Sequence, residues 1–166
     1  MVRVGWARNQ ARKLLSQLGS TKPPIDVNSV AARLGIKIVP HKFKSDISSF
    51  LLCKADGHII CVNDRHHPNR QRFSIGHEIA HFVLHKDEAP YFDKDYELHF
   101  RGNAADSPHD RKEIEANQFA AELLMPLSTI RNDLKENPPP TASELAKKYQ
   151  VSEQAMTFRL ASLRPD

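Results

Sequence analysis

The spacing of apolar residues changes period along the N-terminal half of the chain, from helix to strand and, at residue 68, back to helix. Ala11, Leu14, Leu15 and Leu18 recur at i, i+3, i+4 and i+7, which predicts an amphipathic helix that Gly19 ends before a turn at Pro23 and Pro24. A second short helix is expected from Asp26 as N-cap, with Val27, Val30, Ala31 and Leu34 as its apolar stripe and Gly35 as its stop. Strand periodicity follows. IKIV, residues 36 to 39, reads as one strand, and FLLCKADGHIICV, residues 50 to 62, as a hairpin turning on Asp56 and Gly57. A two-residue turn there pairs Cys53 with Ile60 and Leu51 with Val62, which gathers the apolar side chains on one face and keeps the two cysteines from facing each other.

From Pro68 a helix is expected to run to about Lys86, with Pro90 beyond it, and ELHFR, residues 97 to 101, reads as a short strand. Ser107 as N-cap, with Pro108 next and Asp110 three on, opens a helix through EIEANQFAAELLM up to Pro126. A further short helix is expected around residues 128 to 135. ENPPP, residues 136 to 140, is a stiff spacer, and TASELAKKYQVSEQAMTFRLASL, residues 141 to 163, predicts two helices. Thr141 and Glu144 form a capping box on the first, and Ser152 caps the second, whose apolar residues are Ala155, Met156, Leu160 and Leu163. The expected organisation is a domain over residues 1–135, a Pro-rich linker over 136–140 and a C-terminal helical, helix-turn-helix-like segment over 141–166.

Length and composition narrow the class. A chain of 166 residues buries a core without disulfide staples. Cys53 and Cys61 lack CxxC spacing and sit in an apolar stretch, so buried free thiols in a reducing cytosol are expected. The N-terminus has no continuous apolar segment of the signal-peptide kind, and no run reaches the roughly 18 apolar residues of a membrane span, so a soluble cytoplasmic protein is expected. A net charge of +4 and a pI near 9.1 suit an acidic partner or nucleic acid without choosing between them. RHHPNRQR, residues 65 to 72, is the densest basic cluster and reads first as a solvated loop and helical turn.

HEIAHFVLH, residues 77 to 85, carries the chemistry. His77 and His81 lie four apart on one helix face, roughly 5 to 6 Å between Cβ atoms, so two imidazoles can converge on one ion. Glu78 is rotated about a quarter turn toward the same cleft, where a carboxylate reaches a metal-bound water as a base without ligating the ion. His85 lies more than about 10 Å from His77 along the axis, too far to share a tetrahedral ion with it, and is read as structural or as support for a ligand. A third ligand must come from elsewhere. The helix after residue 107 offers Glu113 with Asn117 one turn on, the amide placed to hold a ligating imidazole by its outer nitrogen. Glu115, two residues from Glu113 and on nearly the opposite face, competes for the role, and spacing does not choose between them.

HEIAHFVLH, then LHFR, then EIEANQFAAELLMP agree in order and spacing with the ImmA/IrrE family of zincin-like metallopeptidases, which the chain resembles over residues 73 to 126. The resemblance implies an α+β fold, a zincin-like core of a small mixed or antiparallel sheet packed with helices, with HExxH on a central helix. It further implies His77, His81 and Glu113 as ligands to zinc, with manganese as the alternative ion, and Glu78 as general base. It selects Glu113 over Glu115 and sets Asn117 where related metallopeptidases often have an orienting aspartate. The implied activity is an endopeptidase that cleaves a partner regulatory protein, a helix-turn-helix repressor, in mobile-element or stress-response regulation. Oxyanion donors left open are Tyr91, Tyr96, His99 and His109, and ELHFR is a candidate edge for an extended substrate.

The reading of a different class is a non-hydrolytic, metal-binding regulator acting through its C-terminal helices. In a DNA-binding version Glu153, Gln154 and Thr157 would face bases, and Arg159 with Lys147 or Lys148 would lie near phosphates. Glu153 at the head of that helix repels phosphate, which weighs against it.

Overall fold

The first apolar stripe forms helix α1, Val4–Leu18, which starts well before its leucines because Ala7 extends the buried row one turn back. Gly19 closes it in the left-handed region at φ 61°, as the sequence predicts. Helix α2, Val27–Arg33, is capped by the Asp26 carboxylate, which accepts from the backbone N–H groups of Asn28 and Ser29. This computed structural model describes residues 2–19, 22–43, 47–54, 57–85 and 108–163, with the side chains of 108–110 outside the description.

Strands β1, Ile36–His41, β2, Ser49–Lys54, and β3, Gly57–Asn63, form a mixed sheet in the order β1-β3-β2, with β1 parallel and β2 antiparallel to β3. The hairpin register differs from expectation by two residues. Leu51 pairs with Ile60 and Cys53 with His58, while Lys54 pairs with Gly57, so residues 55 and 56 rather than 56 and 57 lie between the strands. A two-residue shift leaves every side chain on its original face, so alternation alone does not separate the two registers. Leu51, Ile60 and Val62 are buried in both. The cysteines are not the buried thiols expected. Cys53 is exposed at the end of β2 that leads into β3, and Cys61 is half-buried on the face opposite Ile60 and Val62.

Helix α3, Pro68–His85, is buried without a break from Ser74 to Phe82. A helix apolar all round would be expected there, yet three of these buried residues are His77, Glu78 and His81, which is the first sign that burial serves chemistry. The sheet packs on one side of α3 and helix α4, Pro108–Leu124, on another. Small residues set the α3–α4 spacing: a Cβ built on Gly76 would stand 3.6 Å from the Cβ of Ala120, ordinary contact for closely apposed backbones. Helix α1 also packs along α4. Arg3, Arg8 and Arg12 reach from α1 and its leading residue to Glu115, Gln118 and Glu122 of α4. The expected strand ELHFR lies outside the described residues, as does Ser107.

Helix α5, Leu127–Asp133, follows Pro126, and the C-terminal pair is α6, Ala142–Tyr149, and α7, Glu153–Ala161. The Thr141–Glu144 capping box and the Ser152 cap are both formed. Leu145, Tyr149, Val151 and Met156 join the same apolar core as α1, α3 and α4. Buried polar groups fasten them there. Tyr149 donates to Asp133 at 2.7 Å, and the Arg159 guanidinium pairs with fully buried Glu122 and donates through Nε to the Met125 carbonyl at 2.9 Å. Arg159 is therefore turned inward, not toward a phosphate, and Lys148 is held by Asp133 at 2.8 Å. Of the cations that a DNA-binding reading would use, Arg159 is committed inside the protein and Lys148 is ion-paired at its surface. Among the described residues no helix is long and apolar enough to cross a membrane.

Candidate metal centre

Helix periodicity brings His77 and His81 to the α4 side of α3, and the close α3–α4 approach delivers Glu113 to them. The two Nε2 atoms stand 3.0 Å apart, and each faces one oxygen of the Glu113 carboxylate, His77 at 3.0 Å and His81 at 3.1 Å. One donor atom from each of the three lies within 4.8 Å of the others, which could hold a metal ion. Glu115 is not part of this group.

Hydrogen-bond directions say what the group lacks. His77 Nδ1 meets the Asn117 side-chain oxygen at 2.9 Å. That oxygen only accepts, so Nδ1 carries the proton and Nε2 of a neutral His77 presents a lone pair. Two imidazole nitrogens and a carboxylate thus point electron pairs at one spot, an arrangement that a proton or a cation must satisfy. Two nitrogens and one oxygen, partly closed from solvent, are the donor set of a tetrahedral site with one open position.

The electrostatics agree. Burial disfavours a charged His77, but the hydrogen bond and charge of Glu113, with smaller contributions from Glu78 and Asn117, raise its pKa above the ordinary value. Burial likewise opposes ionised Glu113, and the two histidines overcome it and hold the carboxyl well below the usual range. Glu78, 3 % exposed, accepts a 2.7 Å hydrogen bond from the Ser49 hydroxyl of β2. The sheet thereby aims a carboxylate that the helix alone leaves free to rotate.

His85 sits beside His81, not at Glu113: the two Nδ1 atoms are 3.2 Å apart, and His85 Nε2 is 3.3 Å from a Glu115 oxygen. Glu115 is 3 % exposed and is gripped by Arg3 through its backbone N–H, Nε and Nη2, at 2.9, 3.0 and 2.9 Å. Against the cost of burial, these bonds hold its carboxyl at about 2. Spacing leaves Glu113 and Glu115 open and the family resemblance selects Glu113; the structure groups Glu113 with His77 and His81, and Glu115 meets the far end of the histidine row, a contact that sequence reasoning missed. It also missed Ser49 and Arg3. Neither carries a motif, and only the Ser49–Glu78 and Arg3–Glu115 contacts reveal them. Tyr91, Tyr96 and His99 lie outside the described residues, as does the His109 side chain.

The IrrE N-terminal-like domain family matches residues 31–161, from α2 through α7. The chain belongs to this family. It is similar to the radiation response metalloprotease IrrE of Deinococcus deserti, with 30% identity over 159 residues that cover 93% of this chain and 53% of that protein. It is also similar to the protein of the same name from Deinococcus radiodurans, 32% identical over 111 residues, 64% of this chain and 32% of that one. The chain thus spans about half the length of the first of these IrrE proteins and a third of the second. A Mycobacterium tuberculosis transcriptional regulator shares the fold at a TM-score of 0.59 and 18% identity, covering 96% of this chain and 48% of that one. Membership in the IrrE-like family agrees with the ImmA/IrrE resemblance carried by HEIAHFVLH and EIEANQFAAELLMP.

Proposed function

We propose that this chain is a zinc-dependent endopeptidase of the HExxH-plus-glutamate kind, in which His77, His81 and Glu113 hold the ion and Glu78 is the general base. The convergence of two buried imidazoles and a carboxylate across α3 and α4, with a second buried carboxylate beside them, carries the reading. Two nitrogens and one carboxylate oxygen suit tetrahedral zinc, with manganese the alternative. On this reading α3 is the central helix of a zincin-like core within residues 1–135, and residues 141–166 form an appended helix-turn-helix-like pair.

When bound, zinc would polarise the scissile carbonyl and lower the pKa of a coordinated water toward about 7. The remaining work belongs to side chains. Asn117 fixes the His77 tautomer so that its Nε2 lone pair faces the ion. Glu78, steadied by the Ser49 hydroxyl, accepts a proton from the attacking water and delivers it to the leaving nitrogen. The products are a new carboxylate and a new amine.

The substrate we favour is a partner regulatory protein, a helix-turn-helix repressor whose cleavage relieves repression in the cytoplasm. The printed name of the Deinococcus relatives, radiation response metalloprotease, supports a protease role in a stress response. The alternative, a non-hydrolytic regulator, has no use for Glu78 and loses part of its DNA contact set because Arg159 is buried against Glu122. Glu78→Gln separates the two readings. Zinc content should be unchanged while cleavage of the repressor stops; a variant that still cleaves as well as the parent would remove Glu78 from the mechanism.

A further inference from the structure

The histidine row does not end at the ligands. We propose that Arg3 is a positioning residue for the metal centre, acting through Glu115 and His85 to fix the tautomer and orientation of His81. The inference rests on the proposed metal site and adds residues that no HExxH motif contains.

Hydrogen-bond direction carries the argument. If His81 Nε2 presents its lone pair to an ion, its proton lies on Nδ1. That Nδ1 is 3.2 Å from His85 Nδ1, which must then accept and place its own proton on Nε2. His85 Nε2 faces a Glu115 oxygen at 3.3 Å, an acceptor, and Glu115 is kept ionised by three N–H donors of Arg3. Each of these contacts along Arg3–Glu115–His85–His81 thus sets a donor against an acceptor, and the chain ends with the His81 Nε2 lone pair aimed at Glu113 and His77. Reversing any one step would set donor against donor or acceptor against acceptor. His77 has the simpler device, a single bond to Asn117. His81 and His85 are 6 % and 3 % exposed, so no bulk water stands in for the missing partner.

Arg3 also helps dock α1 on α4, and the experiment must separate docking from positioning. Arg8 provides the control. It makes the neighbouring rung of the same helix pair, to Gln118 at 2.7 Å, and among the described residues it has no hydrogen bond to a histidine. Zinc affinity is measured by competition with a chromophoric chelator at pH 7.5 for the parent, Glu115→Gln, Arg3→Ala, Arg3→Lys and Arg8→Ala, alongside thermal melts. Nitrogen-15 histidine spectra of the zinc-free proteins report the His81 tautomer. Glu115→Gln and Arg3→Ala should each weaken zinc binding 10- to 100-fold and mix the His81 tautomers, with Arg3→Lys recovering part of the affinity. Arg8→Ala should lower the melting temperature comparably and leave zinc affinity within threefold of the parent. Equal zinc loss in Arg8→Ala, or unchanged affinity in Glu115→Gln, overturns the positioning role. A parent chain that binds no zinc overturns the metal reading itself, a distinct result.

Discussion

Asn117 offers the sharpest test of the proposed metal centre, because one substitution should lower metal affinity while leaving the zinc-free fold nearly as stable. Its side-chain oxygen accepts from His77 Nδ1 at 2.9 Å, yet the residue itself is exposed on α4. Removing a hydrogen-bond partner of a metal-ligating histidine costs 10- to 100-fold in affinity, and exposure lets water replace part of the bond, so Asn117→Ala should fall near tenfold, about 1.4 kcal/mol. Alanine is also the better helix former, by about 0.5 kcal/mol, which offsets part of the roughly 1 kcal/mol lost with the hydrogen bond, so the zinc-free variant should melt within a few degrees of the parent. Asn117→Asp keeps an acceptor and adds charge, which strengthens the bond to the imidazole, so zinc should bind at least as tightly as in the parent. Competition with a chromophoric chelator gives the affinities, and calorimetric scans after exhaustive chelation give the stabilities. Parental affinity in Asn117→Ala, or an equal loss in Asn117→Asp, would refute the claim that this amide orients a ligand.

Other consequences are equally measurable. Zinc held at a hundredfold excess over its Kd should stabilise the chain by about 2.7 kcal/mol, roughly 5 to 10 °C in Tm, and a chelator should reverse this in the parent but not in Glu113→Ala. Arg159→Leu strips one partner from fully buried Glu122 and should cost about 3 kcal/mol while zinc affinity holds; a melt within a degree of the parent would show that Arg12 alone suffices. Gly76→Ala places its methyl in ordinary contact with Ala120 and should stabilise α3 by up to about 1 kcal/mol, whereas Gly76→Leu should force α3 and α4 apart and lower both Tm and zinc occupancy. Thr141→Ala removes half of a formed capping box and should cost about 1 kcal/mol in urea unfolding without changing cleavage.

How much of this was legible in the chain itself varies with the range of the interaction. Helices α2, α3 and α6 begin where Asp26, Pro68 and Thr141 place them, because caps and Pro at the first turn act within three residues. The β2–β3 register was read two residues off, since alternation has period two and is blind to that shift. Cys53 was expected inside and lies exposed with Lys54 at the end of β2, because apolar alternation does not say what covers a strand end. The DNA-binding alternative would set Arg159 near phosphates, yet it is buried, because its partner Glu122 is 37 residues away and carries no local signature.

The local sequence of α3 determined that His77 and His81 share a face with Glu78 beside it, since helical spacing follows from backbone geometry alone. Which glutamate completes the group, what holds each imidazole, and what aims Glu78 were decided by tertiary contacts. The packing of α4 on α3 through Gly76 and Ala120 sets Glu113 at His77 and His81 and Glu115 at His85. The sheet brings Ser49 to Glu78, and docking of α1 brings Arg3 to Glu115. Those residues are distant in sequence, and only the folded chain pays the entropy of bringing them together.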